Sequence, residues 1–515
     1  MAAPLQLKVT SGAPLVTFSC SGAANQAWWP RQLGDGHQLV GAQSGKCLAV
    51  EGDQLHDGQP VNQADCAGGG GQRFYFKEVV ADPAQVGQWG PAIPLTTVPV
   101  AAAALPNGKI LYWSSWDRYD FILGMGERNK TYTGIFDPAT QGATEYLVTN
   151  TQHDMFCPGT AMLADGRVHV AGGGPAVSTT SIYDFRANAW ARDADMHETR
   201  WYNTSVFLPD GGVLTLGGNI HTVPTTSGVG EIWHQGQGWR VVPNLVMGPL
   251  ASDSVATLGG ARAQEYPKMN VAPDGRLLVS GATPNMQWYD PAGNGKITAA
   301  GVRHGDAFAE LASTVQFSDH LLLKAGGNMI NDGPGADTSR SSTSVYVIDM
   351  HTGQATAAEG LGFPRAFSNG VVLPDGKVAI FGGLNNGKNF SDDGSIMHPE
   401  LFDPASGHWR LLAPAGVPRN YHSVALLMPD ARVFSGGGGL CGVRCPIYYN
   451  HPDAQIYSPP YLFKGARPVI AAAPAEIGYG QAFAMRASAG VVRASFIRMS
   501  SVTHSVNTDQ RFLEL

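Results

Sequence analysis

The sequence predicts an all-β chain whose centre is a seven-bladed β-propeller, and three observations carry that reading. A turn phrase recurs seven times between about residues 95 and 450. Glycine fills 65 of 515 positions, nearly twice the usual share of about 7%. Charged residues are 15% of the chain against about 25% on average, a composition of short strands and tight turns. A chain of this length is roughly three to four domains' worth, which a single fold reaches only by repetition.

The elements follow in order. Residues 1–80 carry Ser44-Gly45-Lys46-Cys47-Leu48-Ala49-Val50, Ala64-Asp65-Cys66, Asn25-Gln26-Ala27-Trp28-Trp29 and Gly71-Gln72-Arg73-Phe74. This resembles a ricin-B-type lectin lobe, with one lobe complete and only the tail of another, where a β-trefoil needs three. The resemblance implies a partial lectin-like module, with polysaccharide as its candidate partner and simple packing on the next domain as the alternative. Residues 95–450 hold the repeat: Leu105-Pro106-Asn107-Gly108, Leu163-Ala164-Asp165-Gly166, Leu208-Pro209-Asp210-Gly211, Ala272-Pro273-Asp274-Gly275, Phe317-Ser318-Asp319-His320, Leu373-Pro374-Asp375-Gly376 and Met428-Pro429-Asp430-Ala431. Spacings of 45 to 64 residues match the kelch period of about 50. Each Asp-Gly reads as a hairpin turn, and seven closed blades leave no long sheet edge exposed. Residues 451–515 alternate as short strands of a β-sandwich, but about 65 residues fall short of the roughly 100 such a fold takes, so this domain is expected to be incomplete.

Composition excludes several functions. The net charge is −7, with no Lys/Arg cluster to track phosphates, which argues against nucleic acid. No apolar run approaches the roughly 20 residues of a membrane helix. The first residues, Met-Ala-Ala-Pro-Leu, lack the basic and apolar regions of a signal peptide. Cys47 with Cys66 and Cys441 with Cys445 read as disulfides, which favours an oxidising, extracellular setting. Cys20 and Cys157 have no evident disulfide partner; Cys20 takes the second-cysteine place of the incomplete lobe.

Blades are related by rotation, so residues at one offset from the repeated turn share a level on the axis. Six positions before each turn phrase stand Pro99, Cys157, Tyr202, Tyr266, Leu311, Phe367 and His422. A buried Cys is ordinarily a small hydrophobe and a buried Tyr packs its ring. A Cys, two Tyr and a His at one level, with Tyr421 beside His422, instead bring metal-binding types together. Phenol and imidazole donors completed by one more His would form an N2O2 set, which suits Cu(II) rather than tetrahedral zinc.

Five stretches then resemble the copper radical oxidases, the family of galactose oxidase and glyoxal oxidase. They are His153-Asp154-Met155-Phe156-Cys157-Pro158-Gly159, Arg200-Trp201-Tyr202, Tyr421-His422-Ser423, Gly436-Gly437-Gly438-Gly439-Leu440-Cys441-Gly442 and Thr503-His504-Ser505-Val506-Asn507-Thr508-Asp509-Gln510-Arg511. The resemblance implies one copper ion held by Tyr202, Tyr421, His422 and His504, with Tyr202 joined to Cys157 by a self-processed thioether and carrying a radical. Copper and the radical would share the two electrons of a primary alcohol's oxidation, Tyr421 would take the hydroxyl proton, and dioxygen would leave as hydrogen peroxide. Neither flavin nor NAD is needed.

The same resemblance makes Arg365 a sugar-contacting candidate, although the family's nearby histidine is replaced within Ser368-Asn369. Tyr266 and Phe367 are expected at the pocket wall. Where galactose oxidases carry a stacking Trp after Gly217-Gly218, this chain has Asn219-Ile220; Trp116 or Phe121 could cover the gap, and Trp201 is the glyoxal-oxidase-like choice. The expectation is a secreted, monomeric oxidase of primary alcohols, with galactose or galactosides among its substrates. Glyoxal oxidase-like oxidation of aldehydes and a non-catalytic kelch or lectin binder are the alternatives. The loop carrying His504 is expected to be weakly braced, because the chain ends 11 residues later.

Overall fold

Six of the seven turn phrases close a hairpin in the same way, with a left-handed last residue. Gly108, Gly166, Gly211, Gly275 and Gly376 all sit at φ between 80° and 89°, a left-handed conformation that only glycine adopts without steric cost. In the seventh copy Ala431 takes φ 67°. The hairpins build seven antiparallel sheets, observed in a computed structural model. That model describes residues 5–7, 15–17, 28–34, 36–50, 61–74, 81–121, 128–218, 228–247, 265–306, 310–328, 339–442, 446–478 and 480–515. The chain divides into two units, Met1–Ala81 and Asp82–Leu515.

In the second unit, blades 1 to 6 begin at Ala101–Ala104, Gly159–Met162, Asn203–Phe207, Met269–Val271, Ser313–Gln316 and Asn369–Val372, and each adds its next three strands outward in chain order. Blade 7 is made differently. Ser423–Leu427 and Val433–Gly437 are followed by Asp453–Ser458, and the outermost place is taken by Gln88–Trp89 from the front of the unit, with Tyr457 opposite Trp89. This joins the two ends of the ring and corrects two expected boundaries. The propeller takes in residues on both sides of 95–450, because a blade cut at 450 would lack its third strand and a propeller begun at 95 its fourth.

The inner strands of a blade are buried throughout and the outer ones alternate, as in blade 2, where Gly159–Met162 and Val168–Ala171 are wholly buried and Ala189–Asp193 is mostly not. Within the later sequence, Ile470–Ala472 pairs Arg486–Ala487 and Ser495–Ile497 pairs Phe512–Glu514. Between these, Ser501–Thr503 leaves its own region and adds a fifth strand to the inner edge of blade 1, with Val502 opposite Ala102.

The first unit holds a four-stranded antiparallel sheet of Trp28–Leu33, Gly36–Gly41, Cys47–Val50 and Val61–Ala64. Cys47 and Cys66 form a disulfide, with Cα atoms 5.0 Å apart. Buried Gln72 closes this lobe: its Nε2 donates to the Asp65 carbonyl at 2.7 Å, and its Oε1 accepts from Ala67 N at 3.0 Å and from Gln38 Nε2 at 3.1 Å. Cys20 lies outside the described residues.

Candidate metal centre

The axial level counted from the turns has a backbone cause. Cys157, Tyr202, Tyr266, Leu311, Phe367 and His422 have φ of 53°, 68°, 46°, 54°, 60° and 70°; at Pro99 the ring forbids this. Positive φ is uncommon outside glycine and persists where surrounding structure imposes it. Here neighbouring blades impose it through hydrogen bonds from Tyr202 N to Cys157 O at 3.1 Å, Tyr266 N to Tyr202 O at 2.7 Å and Phe367 N to Leu311 O at 3.2 Å. The side chains then gather in one cluster on the axis with Tyr421.

Their polar atoms converge. The Tyr421 hydroxyl donates to the Tyr202 hydroxyl at 2.8 Å. Cys157 Sγ lies 3.3 Å from His504 Nε2 and 3.8 Å from His422 Nε2, and these three ligand atoms all lie within 4.8 Å of one another. The His422 and His504 ring centroids are 4.6 Å apart.

The outer nitrogens fix the tautomers. His422 Nδ1 faces the Gly439 carbonyl, which only accepts, so Nδ1 carries the proton. His504 Nδ1 faces Thr503 Oγ1 at 2.7 Å, and that hydroxyl is already donating to the Val100 carbonyl, so this Nδ1 also donates. Both Nε2 lone pairs are therefore turned to the axis, an arrangement typical of metal-bound histidines. Burial holds both imidazoles neutral, His422 down at about 3 and His504 well below its ordinary value. Burial also raises the Cys157 thiol and the Tyr202 phenol.

His504 reaches this level on a hairpin pinned at both ends. Its first limb is the added strand on blade 1. After it, Thr508 Oγ1 donates to Ser205 O in blade 3 at 2.8 Å, the Asp509 carboxylate accepts from Met162 N in blade 2 at 2.9 Å and from Ser501 Oγ at 2.8 Å, and Gln510 accepts from Val372 N in blade 6. The expected weak bracing is corrected: the propeller itself supports the hairpin.

With this geometry, similarity to known proteins can be read. Residues 467–515 match the family model "Galactose oxidase-like, Early set domain", and residues 5–64 match "Ricin-type beta-trefoil lectin domain-like". A galactose oxidase of Gibberella zeae is 33% identical over 86% of the chain, which spans 66% of that protein's length. An aldehyde oxidase of Vitis pseudoreticulata is 26% identical over 63% of the chain and 64% of its own. A solved structure described as a novel fungal alcohol oxidase with catalytic diversity among the AA5 family, in complex with copper, is 34% identical. It superposes with a TM-score of 0.75, covering 84% of this chain and 90% of that one. The chain belongs to the galactose oxidase-like copper radical oxidases.

The donor set of this family member fits copper. Two neutral imidazole Nε2 atoms and two phenol oxygens form an N2O2 set of the kind Cu(II) takes, and the anchored Nδ1 atoms set the ring orientations. Cys157 is buried in no disulfide, in the same cluster as Tyr202.

Around the donors the wall is aromatic. Phe121 stacks on Phe156 with centroids 4.7 Å apart, Trp201 lies tilted 5.0 Å from the Tyr202 ring, and Phe390 stands edge-on to Tyr421 at 5.2 Å. Tyr266 stacks on His504 at 4.6 Å and Phe367 stands edge-on to Tyr421 at 5.3 Å. Of the two residues expected to cover the gap left by the missing Trp, Phe121 reaches the cluster. Ile220 itself lies outside the described residues. Phe156, Phe390 and Leu384 were missed by the sequence reading; Phe156 was visible within the Cys157 motif, whereas Leu384 and Phe390 carried no local signal.

Arg365 serves the fold. It is fully buried, and its Nη atoms donate to the Gly382 carbonyl at 2.9 Å, the His398 carbonyl at 3.0 Å and the Glu400 carboxylate at 2.5 Å. Arg200 repeats this with Gly217 O and Glu231, and Arg419 with Gly437 O and Asp453. These arginines tie the second strand of a blade to the third, and the Arg365 guanidinium, wholly buried, spends three of its N–H groups on that tie. Cys441 is disulfide-bonded; Cys445, its expected partner, lies outside the described residues.

Proposed function

We propose that this chain is a copper-dependent oxidase of primary alcohols, forming aldehydes and reducing dioxygen to hydrogen peroxide. Tyr202, Tyr421, His422 and His504 would hold the metal and Cys157 would be the thioether partner of Tyr202. The observation that carries the reading is the meeting of two Nε2 lone pairs, two phenol oxygens and one thiol at a buried point on the axis. When bound, copper together with an oxidised, thioether-linked Tyr202 supplies two one-electron acceptors, enough to take an alcohol to an aldehyde.

The chain's own residues do the rest. Held on the metal as a phenolate, its own proton released on metal binding, Tyr421 Oη would be the proton acceptor for the substrate hydroxyl; in the metal-free chain its hydroxyl donates to Tyr202 Oη and keeps the two phenols in register. His422 and His504, neutral and anchored through Nδ1, offer lone pairs without first losing a proton. Phe121, Phe156, Phe390 and Trp201 exclude water, and they favour alcohols with an apolar or aryl substituent. Galactose stays among the substrates, though no Arg365 contact supports it. The Cys47–Cys66 disulfide supports secretion, and among the described residues no helix is long and apolar enough to cross a membrane. The first unit's likeness to a lectin lobe supports carbohydrate binding by it.

Peroxide release by copper-loaded protein over benzyl alcohol, butanol, galactose and methylglyoxal tests the reading. Expected is turnover of the primary alcohols, benzyl alcohol at least tenfold above galactose in kcat/KM. Turnover of methylglyoxal alone would make the aldehyde-oxidase reading the correct one, and no peroxide from any substrate would overturn both.

A further inference from the structure

The His504 hairpin turns in a conformation its own sequence disfavours. Thr503 and Val506 exchange hydrogen bonds, Thr503 N to Val506 O at 3.1 Å and Val506 N to Thr503 O at 2.8 Å. The two residues between them, His504 and Ser505, have φ of 49° and 62°. Two central residues at positive φ are the mark of a type I′ turn, which Asn-Gly and similar pairs fill. His-Ser gives no such help, so the turn must be held from outside.

One limb is held by blade 1, through the strand pairing and through Thr503 Oγ1 on the Val100 carbonyl. Blade 4 stands across the ring from blade 1. Just before its first strand, Lys268 is 6% exposed, and its Nζ donates to the Ser505 carbonyl at 3.0 Å. Lysine is almost never fully buried unless paired, and the mechanism makes no use of this one.

We propose that Lys268 is a positioning residue for His504: its buried Nζ clamps the Ser505 carbonyl and so fixes the strained turn that aims His504 Nε2 at the metal. The inference rests on the copper reading for its functional meaning, while the clamp itself belongs to the metal-free protein.

The test uses the full chain. In Lys268→Met, hydrogen exchange at the Val506 amide in metal-free protein should quicken at least tenfold, Cu(II) should bind at least tenfold more weakly, and the Cu(II) EPR spectrum should change. Ser505→Gly, which removes the cost of positive φ, should restore much of the affinity and the spectrum when added to Lys268→Met. The same double variant serves if Lys268→Met alone does not fold. Wild-type exchange, affinity and spectrum in Lys268→Met would overturn the proposal, as would a double variant no better than the single one. If the wild-type protein takes up no copper, the proposed function falls, and the Val506 exchange still decides the clamp.

Discussion

Two regions bring donors to one point by different means. Cys157, Tyr202 and His422 come from the propeller, where one backbone device, a left-handed residue entering the first strand, is repeated in six of the seven blades. His504 comes from a hairpin that occurs once and is held by contacts with no counterpart elsewhere: an added strand on blade 1, the Asp509 carboxylate, and Lys268. Repetition makes the first group tolerant, since the same left-handed geometry recurs at six positions and adjacent blades bond to one another through it. The hairpin depends on a few buried polar groups, each costly to leave unpaired.

The largest expected effect isolates the propeller side. Cys157→Ala replaces a small buried side chain with a smaller one, so the melting temperature should stay within about 2 °C, roughly what half a kcal/mol moves in a large domain. Turnover of alcohols should fall about 10⁴-fold, roughly 5.4 kcal/mol. Residual turnover within tenfold of wild type would remove Cys157 from the chemistry.

The next separates a repeated strut from a substrate contact. Arg365 and Glu400 are both buried and paired, and removing one partner of such a pair costs about 3 kcal/mol or more. Arg365→Met should therefore lower stability in urea by about that amount, as should Arg200→Met, while the KM for galactose in the folded fraction is unchanged. A raised galactose KM with unaltered stability would restore the sugar-contact role.

What the sequence made legible follows the same division. The ring of Cys157, Tyr202 and His422 could be counted out because repetition ties sequence offset to depth on the axis. His504 was reachable only through a family motif, since no offset rule places a residue from outside the repeat. The strut made by Arg365 was not legible from one arginine in one motif; comparison with Arg200 and Arg419, each two residues before a Tyr, exposes it. Gln88–Trp89 could not be seen as the closing strand, because two residues carry no period.

A smaller effect tests the rigid approach to Cys157. His153, four residues earlier, uses both ring nitrogens, Nε2 on the Gly172 carbonyl at 2.8 Å and Nδ1 on Ser181 Oγ at 2.9 Å. Burial lowers its pKa from 6.5 to about 4. A depressed histidine pKa means that the unfolded chain binds the proton first. Its contribution is thus complete above about pH 6.5 and is lost as pH falls through about 4, roughly 3 kcal/mol in all. Urea unfolding between pH 7 and 4 should show stability falling with acid. His153→Gln should flatten part of that slope, leaving the part due to His169, also depressed by burial. An unchanged slope would place the acid sensitivity elsewhere.

The smallest expected effect lies where the two regions touch. Tyr266 belongs to the propeller's ring, yet its face stacks on His504 of the hairpin at 4.6 Å and 22°, and its edge meets Tyr202 at 5.2 Å. Its hydroxyl is buried, with Thr503 as its hydrogen-bonding neighbour. The ring is what braces the imidazole. Tyr266→Phe should leave turnover within about threefold and lower stability by no more than about 1 kcal/mol, since at most one hydrogen bond is lost. Tyr266→Ala should weaken copper binding by unseating His504. Were Tyr266→Phe to lose turnover as Cys157→Ala does, the hydroxyl itself would be taking part, and the centre would have to be redrawn with three working phenols in place of two.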